Sequence, residues 1–290
     1  MRARKRFGQH FLEPVWAAKL VELISPRPDQ TFLEIGPGTG ALTRPLARSG
    51  ARILAIEIDR DLAARLAREL PPNVTVVTGD FLEADLLPVL LGLLPQQPAR
   101  QAAAGGPASF APPAPAVRVV GNLPYNVSSP MLFRLLALQQ ERSIFADATL
   151  MVQQEVADRI AAKAGSREFG PLAIFTQLDA EVTRLLALPP GAFRPVPKVR
   201  SAVVRLRFRP QEVAIPDPEL FSAMVRRLFM GRRKTVLNAV RPYAAGLGAS
   251  PEAGLAIAGI AAARRPETLQ LSELARLAAF FASARRRSVL

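Results

Sequence analysis

The chain of 290 residues has no cysteine and one histidine. The first absence excludes disulfides and thiolate metal sites, and the second excludes any site built from several imidazoles. Metal catalysis is therefore not expected. Acidic side chains are scarce beside basic ones: 24 Asp and Glu face 38 Lys and Arg, a formal charge of +14 with a pI near 11.4. The basic residues are thirty-three Arg and five Lys. A GC-rich coding bias accounts for choosing Arg over Lys but not for the net cationic excess, which points to a polyanionic partner, nucleic acid rather than a membrane surface. Long apolar runs are missing too. The longest, 86–94 and 254–263, are too short or Pro-broken to span a bilayer, which takes ~20 residues. The basic first residues lead into Phe-Gly-Gln-His rather than an apolar stretch, unlike a secretory signal. A soluble, cytoplasmic protein without a membrane partner is expected, with a monomer as the default.

What is present is an alternation of short β-rich apolar runs with helical patterns. Strands are expected at 31–35, 52–57, 74–78, 117–121, 148–152, 183–188 and 202–208, and helices at 41–49 and 60–70, the latter with Leu62, Leu66 and Leu70 spaced by four. Strand-helix alternation with right-handed crossovers predicts an α/β fold, a doubly wound, mostly parallel, seven-stranded Rossmann-like sheet. The segment 95–116 is rich in Pro, Ala, Gln and Gly and has neither period, so it reads as a flexible insert. After Pro210 the strand pattern stops. Helices are expected at 220–229, 234–240, 251–260 and 272–284, with Asp217 capping the first and Ser272 with Glu273 starting the last. Two domains follow, 1–209 with the sheet and 210–290 all-helical and smaller.

The residues that carry chemistry gather where strands end. Asn122-Leu123-Pro124-Tyr125 closes the fourth run. An exocyclic amine on a base is a poor nucleophile because its lone pair is delocalised into the ring, and alkylating it requires acceptors that hold the NH2. The Asn122 Oδ1 and the Leu123 carbonyl fit that need. Pro124 fixes its own φ and biases Leu123 to an extended conformation, and Tyr125 offers a π face to an unstacked base. The first strand runs into Glu34-Ile35-Gly36-Pro37-Gly38-Thr39-Gly40, where glycines let backbone approach a ligand closely. Its spacing favours the methyltransferase pattern E-x-G-x-G-x-G over the dinucleotide pattern G-x-G-x-x-G. Glu57, at the end of the second strand, is placed to accept ribose hydroxyls, and Asp80, in Gly79-Asp80-Phe81 after the third, to accept from an adenine amine, with Phe81 near the ring. All four lie on the carboxyl edge of the sheet, where open α/β folds bind ligands. The tetrapeptide alone also suits a DNA adenine methyltransferase, although Leu123 stands where those more often have Pro.

Together, Gly-Gln-His-Phe-Leu at 8–12, the glycine turn at 34–40, Gly-Asp-Phe at 79–81, Asn-Leu-Pro-Tyr-Asn-Val-Ser-Ser-Pro at 122–130 and the 193–206 segment resemble the ribosomal RNA adenine dimethylases, especially their bacterial small-subunit branch. Gly231-Arg232-Arg233-Lys234-Thr235 and Arg264-Arg265-Pro266-Glu267-Thr268-Leu269 extend the likeness into the helical domain. The resemblance implies transfer of methyl groups from S-adenosyl-L-methionine, without a metal, to N6 of two adjacent adenosines near the 3′ end of 16S rRNA in a small-subunit precursor. It implies cofactor contacts at His10, Leu12, Gly36, Gly38, Glu57, Asp80 and Asn122, and it implies that Phe193 covers the target base opposite Tyr125. RNA is expected to meet Arg2, Arg4, Lys5 and Arg6 and the Arg232, Arg233 and Lys234 cluster, mainly through phosphates and shape. The alternatives are an erythromycin-resistance type enzyme acting on large-subunit RNA and a non-catalytic assembly or transcription factor on the same fold.

Overall fold

A computed structural model gives the fold and describes residues 9–94, 117–231 and 233–288. The insert at 95–116, the N-terminal cations Arg2, Arg4, Lys5 and Arg6, and Arg232 lie outside the described residues. The chain divides into two compact units, residues up to 157 with 181–209, and residues 158–180 with 210–290.

The strands of the first unit, in chain order, are β1 (Phe11–Leu12), β2 (Thr31–Ile35), β3 (Arg52–Glu57), β4 (Val74–Thr78), β5 (Val117–Asn122), β6 (Phe145–Gln153), β7 (Ala180–Leu188), β8 (Phe193–Arg194) and β9 (Ser201–Phe208). Seven of them form one sheet in the order β4-β3-β2-β5-β6-β9-β7. Neighbours from β4 to β6 pair in parallel, and β9 pairs antiparallel with β6. Every residue of β2 is buried, as is every residue of β3 after Arg52. Continuous burial is the mark of a parallel strand covered on both faces, and it explains why these segments are mostly apolar rather than alternating, with Thr31, Glu34 and Glu57 as buried polar exceptions. The seven expected strands all form, several a few residues longer than their apolar cores.

Helices α1 (Pro14–Ile24), α2 (Thr43–Arg48), α3 (Arg60–Glu69), α4 (Leu87–Leu93), α5 (Ser128–Arg142) and α6 (Gln154–Ile160) connect these strands. The Asp59 side chain caps α3 by accepting from the Asp61 and Leu62 N–H groups, and Leu62, Ala63 and Leu66 turn inward. The remaining pair, β1 with β8, is antiparallel and sets Leu12 opposite Phe193. Both side chains belong to a core shared with Phe32, Leu46, Ile53, Met151 and Val203.

The second unit is helical: α7 (Pro171–Asp179), α8 (Pro218–Met230), α9 (Val236–Ala245), α10 (Pro251–Ala258) and α11 (Leu271–Ser288). Asp217, Thr235 and Ser250 each cap the helix that follows, the Asp217 cap as expected. Its core holds Phe221, Met224, Leu228, Val240, Leu277 and Phe281. Residues 158–180, expected in the sheet domain, belong here instead. Phe169 packs edge-on against Phe229 at 6.3 Å and Phe175 against Phe221 at 6.1 Å, and Ala173, Ile174 and Leu178 are buried in the same core. The physical reason is that α7 shows apolar side chains on more than one face, so its partner is chosen by packing rather than by its place in the chain. Arg264 binds Glu273 at 2.5 Å and the Thr268 carbonyl at 2.6 Å, while Glu273 accepts the Gln270 N–H at 2.8 Å. The Arg-Arg-Pro-Glu-Thr-Leu motif thus fastens the start of α11. Among the described residues no helix is long and apolar enough to cross a membrane.

Candidate active site

The sheet order turns scattered strand ends into a row. Because β4, β3, β2 and β5 are neighbours, Asp80, Glu57, the glycine turn and Asn122 stand side by side along the carboxyl edge. Strands lie about 4.8 Å apart, so the row spans roughly 14 Å. These residues line one cleft of about 180 Å³.

Gly36, Gly38 and Gly40 have φ of +68°, +60° and +83°, a left-handed region that a side chain disfavours. The turn brings the Gly38 N–H to Glu57 Oε2 at 2.9 Å, and the Asp59 N–H reaches Glu57 Oε1 at 2.9 Å. Glu57 is therefore held rigidly, with lone pairs left for ligand hydroxyls. Burial raises its pKa, and the two backbone donors oppose that shift. Asp80 Oδ1 accepts the Leu82 N–H at 2.9 Å in a tight turn, and Phe81 lines the cleft beside it.

At the end of β5 the Asn122 Nδ2 donates to the His10 carbonyl at 2.7 Å. That bond sets the orientation of the amide, leaving Oδ1 as the acceptor presented to the cleft. The Leu123 N–H donates to the Met151 carbonyl at 3.1 Å, and no hydrogen bond from the described residues reaches the Leu123 carbonyl. Tyr125 is fixed by its hydroxyl, 2.5 Å from Ser201 Oγ, and burial raises its pKa. The His10 ring stacks on Tyr125 with centroids 5.3 Å apart and planes at 21°, while His10 Nδ1 lies 2.7 Å from the Pro195 carbonyl.

The structure thus gathers His10, Gly36, Gly38, Glu57, Asp80, Asn122, Leu123 and Tyr125 around one cleft. It does not bring Phe193 there. That ring is 0% exposed and packed in the core with Leu12, because the β1-β8 register turns both side chains away from the opening. The expectation that Phe193 covers the base is corrected accordingly. Leu12 borders a smaller cavity behind the glycine turn rather than the main cleft. Arg233 and Lys234 are exposed just ahead of α9 and belong to the other unit. Two contributors escaped sequence reasoning. Gly121 is needed because a Cβ there would meet the Ile35 carbonyl oxygen at 2.9 Å, and Ser201 anchors Tyr125; neither has a local signature.

Glu34, ahead of the glycine turn, is the other departure from ordinary chemistry. Burial pushes its carboxyl up to about 8, with the nearby Glu57 charge adding to the effect, and its Oε2 is buried without a partner. The folded chain therefore keeps the Glu34 proton that the unfolded chain releases near pH 4.5. Stability from this group is present below that pH and is lost as pH rises toward 8, at up to about 1.4 kcal/mol per pH unit. Urea unfolding between pH 5 and 8 is expected to show that loss in wild-type protein and a flatter profile in Glu34→Gln. Parallel profiles would refute the assignment.

The ribosomal RNA adenine dimethylase family model matches residues 1–264. The chain is 42% identical over 286 residues to the ribosomal RNA small subunit methyltransferase A of Geobacter metallireducens, covering 96% of this chain and 94% of that protein. It is 39% identical over 278 residues to the protein of the same name from Xylella fastidiosa, covering 95% of each. Among solved structures, a dimethyladenosine transferase from Plasmodium falciparum superposes with a TM-score of 0.70 at 23% identity, covering 95% of this chain and 98% of that one. The 23S rRNA methyltransferase ErmE superposes with a TM-score of 0.62 at 27% identity, covering 94% and 99%.

Proposed function

Because the chain belongs to the ribosomal RNA adenine dimethylase family, we propose that it dimethylates N6 of two adjacent adenosines near the 3′ end of 16S rRNA. In this reading the methyl donor is S-adenosylmethionine and the substrate is a cytoplasmic precursor of the small ribosomal subunit. The observation that carries the reading is the Asn122 amide, fixed by the His10 carbonyl at 2.7 Å so that Oδ1 joins the free Leu123 carbonyl as a second acceptor. Two acceptors at one strand end match the two N–H bonds of an adenine amine. Holding both draws the nitrogen lone pair out of conjugation with the ring, and Tyr125 offers its face to the base.

The donor site fits the residues present. Gly36 lines the cleft with a φ of +68° that a side chain disfavours, and a Cβ there would lie 3.9 Å from the Asn122 carbonyl oxygen, so bare backbone borders the cleft beside the acceptors. The fixed Glu57 carboxylate suits ribose hydroxyls, and Asp80 suits an adenine amine. S-adenosylmethionine supplies a methyl group on a sulfonium, an electrophile that needs no metal to activate it. The contribution of the chain is then alignment, which is worth ~7–11 kcal/mol for well-oriented reactants. Arg4, Lys5, Arg6, Arg232, Arg233 and Lys234 are proposed to hold RNA phosphates, in line with the formal charge of +14.

The test is methyl transfer by purified protein to small-subunit particles from cells lacking the gene, with mass mapping of the RNA. Two adjacent dimethyladenosines are expected. Transfer to naked large-subunit RNA alone would overturn the target, and no transfer to either would favour a non-catalytic assembly factor.

A further inference from the structure

We infer that the His10 imidazole is a resident competitor for the target base, occupying the stacking face of Tyr125 until a purine displaces it. This rests on the adenosine-methylating reading of the cleft and deepens it by naming a residue that sets which base enters.

His10 and Tyr125 line the same cleft, and their ring centroids are 5.3 Å apart. Stacked bases repeat every ~3.4 Å, so a base sandwiched between two rings needs roughly 6.8 Å. The gap is too narrow for three layers. Tyr125 is not free to retreat, because its hydroxyl is 2.5 Å from Ser201 Oγ and Ser201 is paired to Gln153 in the sheet. The stack opens only on the His10 side.

His10 can yield its ring without disturbing the acceptors. The imidazole leaves Tyr125 by rotation about its own side-chain bonds, giving up the 2.7 Å contact between Nδ1 and the Pro195 carbonyl. Its backbone carbonyl stays in place, so the Asn122 amide keeps its 2.7 Å bond and its orientation. One residue thus presets the acceptor with its main chain and guards the base position with its side chain. The backbone is also held from the next residue onward, where Phe11 and Leu12 pair with Arg194 and Phe193.

Selectivity follows from the exchange. An entering base must stack on Tyr125 better than an imidazole does. A fused purine presents a larger face than a single-ring pyrimidine, so the guard sharpens the preference for a purine before either acceptor of the Asn122 turn is engaged.

The experiment measures KM for small-subunit particles at saturating S-adenosylmethionine in wild type, His10→Ala and His10→Phe, with the donor Kd followed by calorimetry. Removing the competing ring in His10→Ala is expected to lower the particle KM by about 2- to 10-fold, the worth of one aromatic pair. His10→Phe keeps a ring on Tyr125, and its KM is expected at or above the wild-type value. A purely structural or donor-binding role predicts the opposite for alanine, a weaker donor Kd or a raised KM. An unchanged or raised particle KM in His10→Ala, or a fall in His10→Phe, overturns the proposal. Should the alanine variant fail to fold, His10→Asn, which removes the ring but keeps a polar side chain, takes its place with the same fall in particle KM expected and the same overturning result. Wild-type protein that transfers no methyl group overturns the underlying reading and this one with it, an outcome distinct from an active wild type with an unaltered alanine variant.

Discussion

Asn122→Ala is expected to lower the rate of methyl transfer by about 10²–10³-fold, the usual cost of deleting one preorganised hydrogen-bonding group from a reacting centre. The side chain does two things in the structure. It takes its orientation from the His10 carbonyl through Nδ2 at 2.7 Å, and it presents Oδ1 to the cleft, where the proposed reading seats the amine. Alanine removes the acceptor that stands beside the Leu123 main-chain carbonyl, which no hydrogen bond from the described residues reaches. Single-turnover transfer to small-subunit particles, at particle and donor concentrations well above KM, separates the chemical step from binding. Binding of the particle by the variant is expected to persist, since its electrostatic part is spread over many cations. A variant within threefold of wild type in that assay would show that Asn122 does not hold the amine.

The second large effect concerns Phe193. Its ring is 0% exposed and shares a core with Leu12, Phe32, Ile53 and Val203. Phe193→Ala is expected to cost ~3–5 kcal/mol of stability, the range for emptying a buried aromatic site, measured by urea unfolding. Phe193→Leu is the discriminating variant, because it refills most of the volume without a π face. If the ring only packs, the leucine variant keeps methyl transfer close to wild type at a temperature where it is folded. If the ring covers the target base, as the family resemblance alone implies, transfer is lost in a variant whose unfolding midpoint is close to normal.

The contrast between these two residues shows what was legible in the chain. Asn122 sits in a tetrapeptide whose chemistry can be argued one residue at a time, and in the structure it lines the cleft with its amide held by the His10 carbonyl. Phe193 lies in a motif whose letters are equally plain, yet its direction depends on the pairing of β8 with β1. Two residues of strand have no periodicity from which to read a face. His10 shows the same gap. Its position in the sequence says nothing of a ring stacked on Tyr125, or of a carbonyl that orients Asn122 from 112 positions away.

The sequence by itself determined the local elements and the chemical inventory. Short runs rich in β-branched and aliphatic residues, bounded by turn signals, made β2, β3 and β4 legible to the residue, and the positive φ at Gly36, Gly38 and Gly40 is what glycine in a tight turn allows. The missing cysteines, the lone histidine and the cationic excess narrowed the chemistry before any contact was known. Tertiary structure alone decided the neighbours. The strand order set Asp80, Glu57 and Asn122 in one row, the β1-β8 pair turned Phe193 inward, and apolar packing carried residues 158–180 into the helical unit. Propensity and periodicity act over a few residues and leave their trace in a short window of sequence. The joining of distant segments is settled by the total apolar surface they bury together, a property of the whole chain that no window contains.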